Sequence, residues 1–284
     1  MAYSLIAIDL DGTLLNEEKE IDQRSIQAIR SFEERGGQVV ICSGRTPLAT
    51  RWIGETLGLK TPIISLNGAV LHDERGELLN QKTFSYAGLK QFVSFCEKEN
   101  ICVHLYEGND LIVPEKNRWN EKWIDQNVLP LVQTGGLQER RNAYLEECRV
   151  RVTPDIGQWL ENHPDISKMA IFSETGDFRE IEQKIKTSLP DVEAASSSNY
   201  VNLEISPRGA TKGSALKELA LRLGVPLSQT AAIGDNFNDI SMFQCAGIGI
   251  AMGNAPAAVR AAAQHVTASN DENGIGEAID FLMQ

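Results

Sequence analysis

The sequence predicts an α/β fold: a doubly wound, mostly parallel, Rossmann-like sheet interrupted by an inserted α+β domain. Two observations lead to this fold class. Short apolar runs alternate with amphipathic helical segments in the first and last thirds of the 284 residues, as in βαβ units. In the middle third this alternation is lost, and neighbouring strands are joined by hairpin turns. We therefore expect one core domain formed by residues 1–83 and 208–284, and an inserted domain over residues 84–207.

The first third is predicted to form a β-α-β-α-β unit followed by a hairpin. Residues 4–10 are a continuous apolar run, typical of a strand buried on both faces of a parallel sheet. Asp22 can cap the next helix, and Gly36-Gly37 can end it. The elements that follow are a strand over 38–45, a helix from Pro47 to about Gly58, a strand over 62–69 and a hairpin around 74–76.

The middle third has the mixed pattern of an α+β domain. A helix is predicted over 86–99, because its apolar residues recur on one face. The other predicted elements are a hairpin over 101–115, a helical stretch over 117–127, a less regular segment over 128–150, a strand over 168–172, a helix over 177–189 and a strand over 200–206. Linkers to the core are expected near 83–85 and 206–208.

The last third returns to the alternating pattern. Its predicted elements are a helix over 212–223, a strand over 230–235, a helix over 238–245, a strand over 247–252, a helix over 256–263, a strand over 265–268 and a helix over 274–283. Since crossovers between parallel strands are right-handed, the first and last thirds can share one sheet.

Composition narrows the classes of partner and compartment. The formal net charge of −12 repels nucleic acid and anionic membranes, and we expect neither as a partner. The five cysteines are scattered and form no CxxC pair, which indicates a reducing compartment. No basic region precedes the first apolar run, and no apolar stretch approaches the roughly 20 residues that span a bilayer. We therefore expect a cytoplasmic protein; its oligomeric state is not predicted.

Two aspartates follow the first strand in the stretch LIAIDLDGTL (5–14). Side chains two residues apart on a strand share a face, so Asp9 and Asp11 can reach one spot at the carboxyl end of the strand. Open α/β sheets bind their ligands at that edge. A cap or an Asx-turn would explain Asp11 alone, but not Asp9, which still lies inside the apolar run.

The stretch TAAIGDNFND (230–239) repeats this arrangement. Asp235 stands at a strand end as Asp9 does, and Asn238 and Asp239 follow it. If both strands lie in one parallel sheet, their carboxylates can converge. Oxygen ligands suit a hard cation, Mg²⁺ before Ca²⁺ or Mn²⁺. The alternative is that Asp235 or Asn236 only caps the next helix.

Two further stretches could hold an anion. Ser43-Gly44-Arg45 follows the second strand and offers a hydroxyl with flexible backbone amides before a helix. A simple helix cap explains Ser43 equally well. Lys212 begins an amphipathic helix, where a phosphate role competes with ordinary solvation, and GATKGS lacks P-loop spacing. Asn67-Gly68 follows the third strand and could meet a substrate, although a plain turn is the simpler explanation.

Taken in order, DLDGT, SGR, Lys212 and GDNFND resemble the four motifs of the haloacid dehalogenase (HAD) superfamily of phosphohydrolases. The inserted domain lies between the second and third motifs, which is similar to the Cof-type, or type IIB, branch with its C2B cap. The resemblance covers essentially the whole chain. It implies a HAD-type phosphatase, a phosphoric monoester hydrolase, with Mg²⁺ as cofactor and a small phosphate ester, by default a sugar phosphate, as substrate.

The resemblance also implies a role for each motif residue. Asp9 would be the nucleophile that becomes an aspartyl phosphate, and Asp11 would act as general acid and then general base. Mg²⁺ would be held by Asp9, the Asp11 backbone carbonyl and Asp235, with Asp239 orienting this shell. The phosphoryl oxygens would be held by the amides of Leu10 and Gly44 and by the side chains of Ser43, Lys212 and Asn238. We expect an ionised Asp9 and a protonated Asp11.

Other functions compete with this one. A phosphomutase or phosphotransferase would use the same aspartyl phosphate but would isomerise a sugar phosphate. A metal-dependent glycosyltransferase could use the DxD of residues 9–11, but it leaves Lys212 and GDNFND unexplained. A non-enzymatic phospho-receiver or sugar-phosphate sensor would keep Asp9 phosphorylated for hours, whereas a hydrolase would release phosphate rapidly.

Overall fold

The structure is a computed structural model that describes residues 2–121, 146–162, 165–172, 178–189, 191–196 and 202–284. The chain folds into two compact units. The first comprises Met1–Asn80 and Thr211–Gln284, and the second comprises Gln81–Ala210.

Both predicted linkers lie inside the second unit, because side chains next to them already bond within it. Gln81 Nε2 donates a hydrogen bond to Ser167 Oγ over 2.9 Å. Lys82 Nζ donates to the Gly209 carbonyl over 2.7 Å. The chain therefore enters the second unit slightly earlier, and leaves it slightly later, than the composition change suggests.

The described strands are numbered in chain order. They are β1 (Leu5–Ile8), β2 (Gln38–Ile41), β3 (Ile63–Ser65), β4 (Val70–His72), β5 (Leu78–Gln81), β6 (Cys102–Glu107), β7 (Asp110–Val113), β8 (Val150–Val152), β9 (Lys168–Phe172), β10 (Val192–Ser196), β11 (Asn202–Pro207), β12 (Thr230–Gly234), β13 (Ile248–Ala251) and β14 (His265–Val266).

The described α-helices are numbered in the same way. They are α1 (Gln23–Glu34), α2 (Pro47–Leu57), α3 (Tyr86–Glu99), α4 (Ile156–Leu160), α5 (Arg179–Ser188), α6 (Lys212–Arg222), α7 (Ile240–Phe243), α8 (Ala257–Ala262) and α9 (Gly274–Leu282). None of them has the length and apolar character needed to cross a bilayer.

The first unit is built on a parallel sheet with the strand order β14-β13-β12-β1-β2. Its interior strand β1 is entirely buried, as its unbroken apolar run predicts. The strands β3, β4 and β5 form a second, three-stranded sheet, and a parallel bridge from Cys42 to Ile64 joins it to the end of β2. Since β1 and β12 are parallel neighbours with Ile8 opposite Ile233, the residues after them emerge at the same sheet edge.

The second unit has a six-stranded sheet in the order β10-β11-β9-β6-β7-β8. All of its pairs are antiparallel except that of β7 with β8. Helices α3, α4 and α5 contribute apolar residues to one core with alternate residues of the sheet, for example Phe92, Leu160, Ile185 and Met169.

The predicted fold class is confirmed: a mostly parallel α/β core is combined with a separate sheet region. Three short elements were not predicted, namely β8, α4 and β10. β8 is Val-Arg-Val, only three residues with two of them exposed, and its alternation is too short to predict a strand. The predicted helix over 117–127 lies outside the described residues beyond Glu121, and so does most of the segment 128–150.

Candidate active site

The carboxyl ends of β1 and β12 place two aspartates side by side. Asp9 directly follows β1, and its N–H donates a hydrogen bond to the Ile233 carbonyl over 3.0 Å. Asp235 directly follows β12. Their convergence, predicted from two separate motifs, follows from the parallel pairing of these two strands.

Three buried carboxylates form an acidic cluster at this edge. Asp9, Asp235 and Asp239 each place an oxygen within 4.8 Å of the others, and the three residues are 5%, 8% and 0% exposed. Lys212 lies among them, with Nζ 2.7 Å from Asp9 Oδ1 and 2.6 Å from Asp239 Oδ1. One ammonium against three carboxylates leaves an excess of negative charge, which is costly in a buried position.

The excess of buried negative charge shifts the pKa values of the residues in the cluster. Burial, followed by the charge of Asp239, raises the pKa of Asp235 from 3.8 to about 7, and a hydrogen bond from Thr13 only partly opposes it. Burial also raises the pKa of Asp9, against the attraction of Lys212. Burial disfavours the Lys212 ammonium, but Asp239 and Asp9 outweigh it and raise the lysine pKa. A bound cation would relieve this crowding.

Asp239 is already engaged by protein donors. Its Oδ2 accepts hydrogen bonds from the N–H groups of Asp235, over 2.9 Å, and Asn236, over 2.8 Å. Its Oδ1 accepts from Lys212. Asp239 therefore supports the turn after β12, whereas Asp235 Oδ1 accepts a hydrogen bond from the Thr13 hydroxyl over 2.8 Å.

Gly12 allows the first motif to approach the acidic cluster. Its φ is +79°, and a Cβ at this position would lie 2.5 Å from Asp235 Oδ2. A side chain would thus be strained by the backbone and would also collide with the carboxylate. The glycine of the first motif is required by this close approach.

β1 ends at Ile8, so the alternation of side chains along a strand does not apply to Asp9 and Asp11. The side chain of Asp11 is 41% exposed and lies outside the acidic cluster of the described residues. The Arg45 guanidinium donates two hydrogen bonds to the Asp11 carboxylate, from Nε to Oδ2 over 2.6 Å and from Nη2 to Oδ1 over 2.7 Å. Lys19 Nζ lies 3.0 Å from Oδ1.

Without a metal, the pKa shifts of the two aspartates run opposite to the order expected for the Mg²⁺-bound site. Partial burial acts to raise the pKa of Asp11, but the Arg45 guanidinium and the Lys19 ammonium outweigh it and hold the pKa below its ordinary value. The pKa of Asp9 is raised instead. The sequence could not show this, because neither cation belongs to the first motif.

The predicted phosphate-binding residues border the same edge. Ser43 follows β2 and is buried; its Oγ accepts the N–H of Arg45 over 3.2 Å. Helix α2 is capped at Thr46, so the alternative role of Ser43 as its cap is wrong. Lys212 is the first residue of α6, whose cap is Thr211. Asn238 Nδ2 donates to Asn67 Oδ1 over 3.0 Å.

The remaining two predicted phosphate-binding residues, Leu10 and Gly44, would act through their backbone amides. Leu10 is fully buried, and its carbonyl accepts the N–H of Leu15 over 2.9 Å, which closes the turn after β1. Gly44 lies between Ser43 and Arg45, in the segment that leads from β2 to α2. Their amide roles stay predictions.

Three contacting residues were given no individual role from the sequence: Thr13, Lys19 and Arg45. The sequence also allowed a substrate contact for Asn67, but a plain turn was the simpler explanation. Thr13 and Arg45 lie within the quoted stretches DLDGT and SGR, so their position was a usable signal. Lys19 lies in a loop with a left-handed φ of 64°, and no local pattern announces its contact with Asp11.

Comparisons with known proteins agree with this geometry. Residues 6–279 match the family model of haloacid dehalogenase-like hydrolases. The phosphatase YwpJ of Bacillus subtilis is 34% identical, over 98% of this chain and 99% of its own. The 5-amino-6-(5-phospho-D-ribitylamino)uracil phosphatase YwtE of the same organism is 32% identical, over 98% of this chain and 97% of its own. A solved haloacid dehalogenase-like hydrolase from B. subtilis superposes with a TM-score of 0.80 at 33% identity, over 98% and 99% of the two chains.

A Rossmann-like core with an acidic edge and an inserted sheet unit defines a class of phosphohydrolases. The chain belongs to the haloacid dehalogenase-like hydrolases, in the Cof-type (type IIB) branch. It is a phosphatase of that family.

Proposed function

We propose that the protein hydrolyses small phosphomonoesters, with Asp9 as the nucleophile and Mg²⁺ as the cofactor. The observation that carries this proposal is the buried excess of carboxylate at the ends of β1 and β12. There, among the described residues, Asp9, Asp235 and Asp239 cluster around the ammonium of Lys212. A fold does not keep such an excess for its own stability, and a ligand of positive charge explains it.

The donor set fits Mg²⁺. The cluster offers only oxygen, which hard divalent cations prefer. Asp9 and Asp235 would hold the ion with the Asp11 backbone carbonyl, while Asp239, engaged by its own donors, would orient the shell. When bound, the ion would neutralise the repulsion between the Asp9 carboxylate and the phosphate and withdraw charge from the phosphoryl group.

Asp9 would attack the phosphorus of the ester. A bond forms between phosphorus and an Asp9 carboxylate oxygen while the bond to the leaving alkoxide breaks, which gives an aspartyl phosphate. Lys212 holds Asp9 Oδ1 at 2.7 Å and thereby sets the direction of the carboxylate. Water then cleaves the acyl phosphate and releases inorganic phosphate.

Asp11 would give a proton to the leaving alkoxide and later take one from the attacking water. For this role the ion pairs of Asp11 with Arg45 and Lys19 must break so that Asp11 can contact the substrate, because both cations favour the charged carboxylate. An incoming phosphate is an anion that competes with Asp11 for the Arg45 guanidinium. Substrate binding itself would thus help to release Asp11.

The phosphoryl oxygens would be held by the amides of Leu10 and Gly44 and by Ser43, Lys212 and Asn238. Such donors must stabilise charge throughout the transfer. The contacts of Ser43 and Asn238 with the segment after β3 support their common location.

The relatives support a substrate class for this chain. YwtE is named for a phosphorylated sugar-alcohol derivative of a pyrimidine. We infer that this chain acts on small phosphometabolites, with sugar phosphates first and nucleotide-derived phosphates second. All five cysteines are free thiols, which supports a reducing, cytoplasmic location.

A phosphate-release screen tests the proposal. Wild-type protein is offered a panel of sugar, sugar-alcohol and nucleotide-derived phosphates, with Mg²⁺ and with EDTA, and Asp9→Asn serves as the inactive control. We expect release from several esters only with Mg²⁺ and intact Asp9. Isomerised sugar phosphate without release would establish a mutase instead, and a phosphoprotein stable for hours would establish a receiver.

A further inference from the structure

A turn of unusual backbone conformation follows β3. Leu66, Asn67 and Gly68 have φ values of 48°, 58° and 90°. This left-handed region is unfavourable for a side chain such as leucine, and three successive residues there must be held by their surroundings. We call Leu66–Gly68 the Asn67 turn.

Neighbouring segments of the site hold this turn. The Leu66 N–H donates to the Arg45 carbonyl and the Asn67 N–H donates to the Ser43 carbonyl, each over 3.0 Å. On the other side, a Cβ at Gly68 would lie 2.2 Å from the Thr211 carbonyl oxygen. The turn therefore packs directly against the residue that precedes Lys212.

The side chain of Asn67 completes the connection. It is 5% exposed, and its Oδ1 accepts the hydrogen bond of Asn238 Nδ2 over 3.0 Å. The Asn67 turn thus contacts the segments of Ser43, Lys212 and Asn238, which are the three side chains predicted to hold phosphate. A plain connecting turn would not need these contacts.

The hydrogen bond between Asn67 and Asn238 fixes the orientation of the Asn238 carboxamide, and therefore whether its N–H₂ group or its oxygen faces a bound phosphate. An Asn side chain turned by 180° exchanges its N–H₂ for its oxygen. With one N–H on Asn67, Asn238 can direct its second N–H toward a phosphoryl oxygen. Its Oδ1 is buried and has no hydrogen-bond partner in the described part of the chain, so it lies away from solvent. In the opposite orientation the oxygen would repel the phosphate.

We propose that Asn67 is a positioning residue: it holds the Asn238 carboxamide so that its N–H₂ end binds phosphate. This proposal rests on the phosphate-binding role proposed for Asn238. Asn67 itself need not touch the substrate. The left-handed turn supplies the rigidity that keeps its oxygen aimed at Asn238.

Binding of inorganic phosphate in the presence of Mg²⁺, measured by calorimetry, tests this role together with KM and kcat. Asn67→Gly removes the carboxamide and keeps the backbone, because glycine accepts a φ of 58°. We expect about a tenfold weaker phosphate affinity and a similar rise in KM, at unchanged unfolding temperature. Asn100→Gly, the same change at another left-handed asparagine, is the control and should bind as wild type.

A double-mutant cycle separates positioning from direct contact. Asn238→Ala should weaken phosphate binding about tenfold in the wild type, and also in Asn67→Asp, which keeps an acceptor for Nδ2. In Asn67→Gly it should cost nothing more. If Asn238→Ala still weakened phosphate binding tenfold in the Asn67→Gly background, the proposal would be overturned. It would also be overturned if Asn238→Ala no longer weakened binding in the Asn67→Asp background. This second comparison can be made even if the glycine variant does not fold.

The failure of this proposal and that of the proposed function are distinguishable. A wild type that releases phosphate, beside an Asn67→Gly variant with the same KM and phosphate affinity, removes only the positioning role. A wild type that neither binds phosphate with Mg²⁺ nor releases it from any ester removes both.

Discussion

The two units bury charged side chains in opposite ways. In the second unit, Lys168 is 3% exposed, and its ammonium pairs with the carboxylate of Glu204. In the first unit, Lys212 meets Asp9 and Asp239 at once, with Asp235 in the same cluster. A contact between a buried ammonium and a partly exposed carboxylate can be maintained by the fold alone, whereas three buried carboxylates around one lysine call for a further cation. The balance of buried charge thus separates a structural ion pair from a ligand site.

The largest effect is expected from removal of the nucleophile. Asp9→Asn should lower turnover by about 10⁴-fold or more, because the amide cannot form the phosphoryl bond. The same change should not destabilise the metal-free protein, since it removes part of the excess negative charge. Phosphate release and urea unfolding measure the two effects.

Asp22→Asn is the matched control, because the Asp22 side chain caps α1 and asparagine caps as well. It should keep wild-type turnover. An Asp9→Asn protein with more than about a hundredth of wild-type turnover would refute the nucleophile assignment.

The next effect compares the two buried lysines. Lys212→Met should lower the free energy of unfolding by about 3–5 kcal/mol, because it leaves buried carboxylates without their cation. Lys168→Met should cost less, about 1–2 kcal/mol, because the Glu204 side chain is 23% exposed while that of Asp239 is 0% exposed. Urea denaturation of both variants measures the difference. Equal losses, or a larger loss at Lys168, would mean that the two units do not differ in this way.

A third effect concerns Mg²⁺. At one hundred times its dissociation constant the ion should stabilise the protein by about 2.7 kcal/mol. Hydrogen exchange should show added protection in the first unit, at the ends of β1 and β12. Asp235→Asn should lose most of this gain, and sodium chloride of equal ionic strength should not reproduce it. Protection centred on the second-unit sheet would place the ion elsewhere.

The smallest effect is a pH dependence of the metal-free protein. Folding raises the pKa of Asp235 from 3.8 to about 7, so the folded state binds its proton more tightly than the unfolded state. This contribution to stability is fully present below pH 3.8 and is lost as the pH rises through 7. With EDTA present, we expect the free energy of unfolding of the wild type to fall by about 2 kcal/mol more between pH 5 and 8 than that of Asp235→Asn. Identical pH profiles of the two proteins would show that Asp235 does not titrate as described.

Much of the site could be predicted because it depends on strand ends. Asp9 and Asp235 each follow an apolar run, and the parallel pairing of β1 with β12 places both at one edge. The first and last thirds could be assigned to one sheet for the same reason, because each of their buried strands is recognisable as a short apolar run.

Other features depend on contacts between distant segments, which no local pattern encodes. Arg45 and Lys19 reach Asp11 from other segments of the chain, and in the metal-free protein they lower its pKa. Asn67 resembles an ordinary turn residue until its contacts with Ser43 and Asn238 are known. The strand β8 is paired with β7, but its three alternating residues are too few to identify a strand from the sequence.

Chemical trapping of the enzyme during turnover tests the central claim most directly. Protein quenched within milliseconds of mixing with a good substrate and Mg²⁺ is reduced with borohydride, which converts an aspartyl phosphate to homoserine, and is then sequenced by mass spectrometry. The account predicts homoserine at position 9 and nowhere else. Rapid phosphate release with an unmodified Asp9, or homoserine at another aspartate, would contradict it.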